Sequence, residues 1–234
     1  MKPICLIAAR KNSKGVPNKN IKKINGKPLI SYAITSALKS KNFQTVIVST
    51  DDKKISEISK KYGAEVPFIR PKKLAMDHTP MNDVILHAIK KLCSMGYNFD
   101  ILVNRDCTAP FVKNSDVKGS IDLLRKKNCD TVVAAYKTHL NPYFNMMEFN
   151  SKKVLEFSKK IGVEVNGRQT APTVFQLTSF QTINVKRFLK NKKIYTSNVL
   201  PFEISPENGL MIDTKYEFKI AECLAKTYFK KRLS

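Results

Sequence analysis

The chain has 234 residues, 42% of them hydrophobic, and sets 42 Lys and Arg against 19 Asp and Glu for a formal net charge of +23. That composition fits one globular domain with a sizeable core, and no apolar run approaches the roughly 18 residues of a membrane-spanning helix. Five scattered cysteines without a Cys-x-x-Cys pair, and three isolated histidines, argue against a disulfide framework or a zinc site, and a cytoplasmic protein is expected.

In chain order, the apolar stretch from Pro3 to Ala9 is too short, and too abruptly followed by charge, for a signal peptide, and predicts a buried strand. It empties into a loop, Arg10 to Asn20, holding Gly15, Pro17 and the cations Arg10, Lys11, Lys14 and Lys19. Strand ends of this kind offer backbone N–H groups and cationic side chains to phosphate, although neither a Walker loop nor a Gly-x-Gly-x-x-Gly fingerprint is present. From residue chemistry alone, a phosphate loop and a plain solvated connection stand equal.

A helix starting at Gly26-Lys27-Pro28 carries Ile30, Ala33, Ile34, Ala37 and Leu38 at helical spacing. Phe43 to Thr50 predicts a strand ending at Asp51-Asp52. The next helix bears Ile55, Ile58 and Tyr62, with Gly63 as its stop. Glu65 to Ile69 predicts a short edge strand, because Pro67 cannot donate to a ladder. After a polar loop at Arg70-Pro71 comes a helix with Val84, Ile85, Ala88, Ile89 and Leu92, then a strand from Phe99 to Asn104 ending at Arg105-Asp106-Cys107. A helix from Ser115 to Lys126 and a strand from Cys129 to Tyr136 continue the alternation. That order predicts an α/β, Rossmann-like, doubly wound and mostly parallel sheet, with chemistry at the carboxyl ends of its strands. From about 139 to 191 the rhythm breaks, which predicts an insertion of hairpins and loops in a single domain spanning 1–234. A strand from Val199 to Ile204, a turn at Pro206–Gly209 and a helix from Asp213 or Thr214 close the chain.

Two carboxylates stand at predicted strand ends, Asp106 and Asp213. Nucleotidyl transfer needs hard oxygen ligands for magnesium, and two such residues from separate strands suit it. The competing readings are an Asp106 paired with Arg105 and an Asp213 that caps the last helix.

The loop Ala8-Ala9-Arg10-Lys11-Asn12-Ser13-Lys14-Gly15-Val16-Pro17-Asn18-Lys19-Asn20 closely resembles the signature of the acylneuraminate cytidylyltransferases, written roughly Ala-Arg-x-x-Ser-Lys-Gly-(Ile/Leu)-x-x-Lys-Asn. Further matches follow in family order: Val48-Ser49-Thr50-Asp51, Arg70-Pro71-x-x-Leu74-Ala75-x-Asp77, Arg168-Gln169-x-x-Pro172 and Ile212-Asp213-Thr214. The resemblance implies an enzyme that joins CTP to an acidic sugar of sialic type, giving a CMP-sugar and pyrophosphate, with Mg2+ as cofactor. It implies a CTP site at Ala8, Ala9, Arg10, Asn12, Ser13, Lys14, Gly15, Lys19 and Asn20, with Arg10, Lys19 and Asp213 as catalytic residues. Arg70 would help read the cytosine and Asp77 would hold its loop, while Arg168 and Gln169 would face the sugar carboxylate.

The chain also departs from that pattern. The family writes Leu-Gln-Pro-Thr-Ser-Pro-Leu-Arg where this chain has Arg105-Asp106-Cys107-Thr108-Ala109-Pro110-Phe111-Val112, and its late Asp-x-Asp is here Met211-Ile212-Asp213. The related deoxy-octulosonate cytidylyltransferases place an Asp on the earlier strand end, so an Asp106/Asp213 metal pair is expected. On the sugar side, Gln176-Leu177-Thr178-Ser179 replaces the usual Asn-Gly segment, so a legionaminic- or pseudaminic-type acid is as well supported as sialic acid. A deoxy-octulosonate or phosphonate acceptor, another base, and a weakened homologue stay open. A homodimer is expected through the insertion. Net charge alone would also suit a nucleic-acid binder, but the lysines are spread in pairs such as Lys22-Lys23, Lys60-Lys61 and Lys126-Lys127, so neither nucleic acid nor membrane is an expected partner.

Overall fold

The computed structural model describes residues 1–11, 14–163, 165 and 167–228. The first strand, β1 (Ile4–Ala8), has four fully buried residues followed by a half-buried Ala8, as a central parallel strand covered on both faces must. The loop after it ends in a single 3-10 turn at Lys19–Ile21, entered through Asn18 in the left-handed region.

A small hairpin follows, β2 (Lys23–Ile24) and β3 (Lys27–Pro28), turned by Asn25 and Gly26, both at positive φ. An Asn-Gly pair is the preferred sequence for such a tight turn, so the helix predicted from Gly26 begins only at Leu29. That helix, α1 (Leu29–Ser40), buries Ile30, Ala33, Ile34 and Ala37. Strand β4 (Thr45–Ser49) precedes α2 (Lys53–Lys61), whose first turn is capped by the Asp52 carboxylate accepting from the Ile55 N–H at 2.8 Å.

The edge strand expected over Glu65–Ile69 is reduced to two isolated bridges, Ile47 to Glu65 and Thr50 to Ile69, with Pro67 interrupting the ladder between them. Helix α3 (Met81–Ser94), strand β5 (Ile101–Arg105), helix α4 (Asn114–Lys127) and strand β6 (Thr131–Lys137) continue the alternation. A projecting hairpin, β7 (Met147–Phe149) with β8 (Leu155–Phe157), leads back to the sheet. Then come β9 (Phe175–Asn184), α5 (Val185–Asn191), β10 (Val199–Glu203) and α6 (Lys215–Tyr228).

The main sheet runs β10-β6-β9-β5-β1-β4, with every pairing parallel except those of β9, which is antiparallel to both β5 and β6. The insertion expected over about 139–191 is therefore shorter. Phe175–Asn184 is a ten-residue strand in the middle of the sheet, and the segment outside the sheet is 138–174. Apolar and polar residues do not alternate cleanly in β9, because one end is buried in the sheet and the other is exposed.

Alternation along the strands divides the core. Cys5, Ile7, Val46, Val48, Val103 and Val132 face α1, α2 and α4, whereas Ile4, Leu6, Ile47, Leu102 and Ile183 face α3 and α5. Burial on the first face pushes the Cys5 thiol up to about 12. A third cluster joins Val16 of the loop, Ile24, Leu29, Phe111 and Ile212 to Phe218, Ala221 and Ala225 of α6. No helix is long and apolar enough to cross a membrane among the described residues.

The amino ends of β6 and β10 are tied by one carboxylate. Asp130 accepts from Arg187 Nη1 at 2.7 Å, Thr196 Oγ1 at 2.9 Å and Asn191 Nδ2 at 3.1 Å. The Arg187 hydrogen bond above all holds the Asp130 carboxyl below the usual carboxylate range; burial opposes it, and the Thr196 donor, the Arg187 charge and the Asn198 donor add to the lowering. A lowered native value means that this stabilisation is complete above the unfolded carboxyl value of about 3.9 and is lost as pH falls through the native one. Asp130→Ala should therefore lower stability by about 2 kcal/mol at neutral pH. It should also flatten the decline of stability below about pH 4, read by urea unfolding across pH.

Candidate active site

β1 has β4 on one side and β5 on the other, so the strand order reverses between β1 and β5, and a crevice opens at their carboxyl ends. A cleft of about 380 Å³ occupies this place. It is lined by Ala8, Arg10, Lys14, Gly15, Lys19, Asn20, Arg70, Asp106 and Asp213, all nominated from sequence, together with Met81, Cys107 and Thr108. A second cleft of about 520 Å³ shares Arg10 and Asn20 and carries Lys11, Lys53, Lys54 and Lys72 against Asp51 and Asp52.

The loop is fastened from three directions. Ala9 is buried and its N–H donates to the Ser49 carbonyl at 3.0 Å, extending β1 against β4. Arg70, only 4% exposed, donates from Nη2 to the Ala9 carbonyl at 2.6 Å. Burial lowers the Arg70 pKa, Asp51 counters that, and nearby Arg10 adds to it. Asn20, also buried, donates from Nδ2 to the Arg10 carbonyl at 2.9 Å and accepts at Oδ1 from the Cys107 thiol at 3.1 Å. Arg70, assigned to the base by resemblance, thus also supports the loop backbone directly.

Asp77 joins the cleft through its partners, pairing with Arg10 and with Lys14 at 2.8 Å. Lys14 and Arg10 hold its carboxyl below the usual carboxylate range.

Opposite these cations, Lys19, with a side chain only 12% exposed, places Nζ 2.7 Å from Asp213 Oδ1. Asp213 does not cap the final helix. Thr214 does, because its hydroxyl accepts from the Glu217 N–H at 3.2 Å while the Glu217 carboxylate accepts from the N–H groups of Asp213 and Thr214 at 2.8 and 2.7 Å. This reciprocal capping box leaves the Asp213 carboxylate to face Lys19, and its Thr-x-x-Glu spacing was visible in the sequence. Gly15 lies against the backbone of Asp213, where an added Cβ would collide with the Asp213 carbonyl oxygen.

Asp106 approaches from β5. Its N–H donates to the Ser179 carbonyl at 2.8 Å, and its Oδ1 accepts from Thr108 N at 2.9 Å and Thr108 Oγ1 at 2.8 Å. Arg105 is fully buried and donates to the Val112 carbonyl, while the Asp106 carboxylate closes an Asx-type turn with Thr108. Burial pushes the Asp106 carboxyl up and the repulsion of Asp213 adds to this, while Thr108 and Lys19 pull it down. The Cys107 thiol is pushed up by burial.

Two carboxylates that repel one another across a shared lysine suit a divalent cation, which needs only one or two protein carboxylates when phosphate oxygens complete its shell. Among the described residues no cluster of three or more His, Cys, Asp or Glu gathers anywhere, so a metal held by protein side chains alone has no candidate site there. The position of the missing late carboxylate is filled by Met211, packed against the main core.

Asn12 and Ser13 lie outside the described residues. Arg168 and Gln169 are exposed, and Arg168 lines a separate cleft of about 140 Å³ with Lys137, His139, Asn141 and Phe144. The fold does not bring either residue to the cleft that holds Lys19. Sequence reasoning missed Cys107, Thr108 and Met81, although Thr108 two residues after Asp106 is a legible turn signal.

The family profile described as Cytidylyltransferase matches residues 4–229. A pseudaminic acid cytidylyltransferase of Campylobacter jejuni is 40% identical over 228 residues, covering 97% of both chains. A CMP-N,N'-diacetyllegionaminic acid synthase of the same species is 34% identical over 228 residues, covering 94% of each. Among solved structures, a CMP-2-keto-3-deoxy-manno-octonic acid synthetase complexed with CTP shares the fold, with a TM-score of 0.74 at 17% identity over 97% of this chain and 99% of that one. A divalent metal is the general requirement of such enzymes. With Lys19 and two carboxylates gathered at the switch point, and the profile running nearly end to end, the chain belongs to the acylneuraminate-type cytidylyltransferase family.

Proposed function

We propose that this protein transfers CMP from CTP to a nonulosonic sugar acid of the pseudaminic or legionaminic type, in the cytoplasm, with Mg2+ as its metal. The observation that carries this reading is the convergence of Lys19, Asp213 and Asp106 at the carboxyl ends of β1 and β5, faced by Arg10 and Lys14. In the reaction the acceptor hydroxyl oxygen bonds to the α-phosphorus, its proton departs, and the bond to the β-phosphate oxygen breaks to release pyrophosphate.

Arg10, Lys14 and Lys19 bind the triphosphate, and their charges oppose the negative charge that spreads over the transferring group. Asp77 keeps Arg10 and Lys14 together, so the nucleotide meets a preassembled pair. Arg70 lines the cleft, which keeps it within reach of the nucleotide while its Nη2 supports the loop. Asp106 and Asp213 would hold the magnesium, which when bound neutralises phosphate charge as a Lewis acid. The names of the relatives favour a nonulosonic acceptor, whereas Arg168 and Gln169, exposed outside the cleft of their own chain, would meet a sugar carboxylate only from the insertion of a second copy.

The projecting hairpin leaves Phe149 73%, Leu155 53% and Met147 48% exposed, an apolar face unusual for a lone surface hairpin. We assign this face to a second copy of the chain, forming a homodimer in which the insertion covers the sugar pocket. Sedimentation should show a dimer that Phe149→Asp shifts to monomer, and a monomeric unaltered protein would refute the assignment.

With CTP, Mg2+ and a pseudaminic- or legionaminic-type acid, the protein should release pyrophosphate and form the CMP-sugar, with little release from UTP or ATP. Lys19→Met, Asp213→Asn and Asp106→Asn should each lower kcat by about 10²–10³-fold without loss of fold. Gly15→Ala should also lower kcat, by displacing the backbone of Asp213, and should lower stability with it. Turnover of UTP at the CTP rate would rule out the cytidylyl assignment, and full activity in Asp106→Asn would rule out the metal pair.

A further inference from the structure

Three successive carbonyl groups at the end of β1 are met by side chains from other parts of the chain. Arg70 donates to Ala9 O, Asn20 donates to Arg10 O, and the Cys107 thiol lies 3.8 Å from Ala8 O and 3.1 Å from Asn20 Oδ1. Cys107 is 1% exposed and Asn20 is 5% exposed, so water has little access to this chain of contacts.

An amide side chain has an accepting end and a donating end that geometry alone does not distinguish. The Arg10 carbonyl can only accept, so the amide nitrogen of Asn20 faces it. The oxygen end then faces Cys107, whose thiol proton satisfies it. With a residue lacking a donor at 107, that buried oxygen would have no donor among the described residues, and the amide would lose the contact that sets its orientation.

We propose that Cys107 is a positioning residue for the nucleotide loop: its thiol orients the Asn20 amide, which in turn holds the Arg10 carbonyl and so places the Arg10 side chain in the cleft. The effect on CTP rests on the cytidylyltransferase reading given above, whereas the effect on the loop does not. Cys107 touches no reacting atom in this scheme. Its contribution passes through Asn20 to the placement of a phosphate-binding cation, so ground-state binding of CTP changes more than the chemical step.

Cys107→Ser keeps a donor at this position and Cys107→Ala removes it, with little change of size in either case. In the ligand-free protein, backbone amide exchange is followed at Lys11, Lys19, Ile21 and Lys22, whose N–H groups are bonded to Asp51, Val16, Asn18 and Asn18. These should exchange faster in Cys107→Ala and at the original rate in Cys107→Ser. In steady state, Cys107→Ala should raise the KM for CTP about fivefold, from the loss of one net hydrogen bond, with kcat within about twofold. Cys107→Ser should restore the KM, and Cys107→Ala should add nothing in an Asn20→Ala background. Serine and alanine variants that behave alike, in exchange and in KM, would overturn the proposal, because packing alone would then account for Cys107. An unaltered protein that releases no pyrophosphate from CTP would instead defeat the functional reading, while the exchange rates would still decide the role of Cys107.

Discussion

The cleft depends on one backbone contact, that of Gly15 with the carbonyl of Asp213. It joins a loop near the start of the chain to the entry of the last helix, and no side chain beyond hydrogen fits between them. Apolar packing brings the two segments there, since Val16 and Ile212, the neighbours of each, are buried in one cluster with Phe111 and α6. The Lys19–Asp213 pair then follows at 2.7 Å. With Asp213 59% exposed, this pair contributes to stability on the order of 0–1 kcal/mol, far less than the burial of the cluster beneath it. Its importance lies in where it puts an ammonium and a carboxylate.

The same division between what holds the fold and what equips the site recurs at the end of β1. Arg70 and Asn20 are buried polar side chains whose donors go to backbone carbonyls of the loop. Removing a guanidinium from water is costly, and an apolar residue of similar volume would usually serve stability as well. What the polar residues supply is orientation. They set the strand-end carbonyls at defined distances and leave the Arg10 and Lys14 side chains to the cleft, where Asp77 holds them together.

β9 performs a comparable service from the sheet. Its pairing with β6 slips between Val133 and Ala135, and Ser179 takes a positive φ at that bulge. The Ser179 carbonyl accepts from the Asp106 N–H, so an irregularity in the antiparallel strand sets the carboxylate at the end of the neighbouring parallel one. Thr178 bonds to the Gly209 carbonyl nearby, linking this bulge to the turn that leads on to Asp213. Asp106 and Asp213 therefore share a frame although they arrive on different elements.

Much of this was legible in the sequence where short-range physics decides it. Alternation and helical spacing gave β1, β4, β5, β6 and their helices close to their observed limits, and the loop from Ala8 to Asn20 identified itself by residue order. The Asn25-Gly26 hairpin and the Thr214–Glu217 capping box were also written locally, and were missed because stronger neighbouring patterns were followed instead. β9 was hidden for another reason: half of it is exposed and half buried, so no single period runs through it, and its partners β5 and β6 lie far away in the chain. By itself, then, the sequence determined most of the strand-helix order and the family to which the chain belongs, because periodicity and motif order are properties of neighbouring residues. Only the tertiary structure decided that Asp213 faces Lys19 and not its own helix, that Arg70 and Asn20 hold the loop from beneath, and that Arg168 stands apart, because each depends on packing between segments distant in the chain.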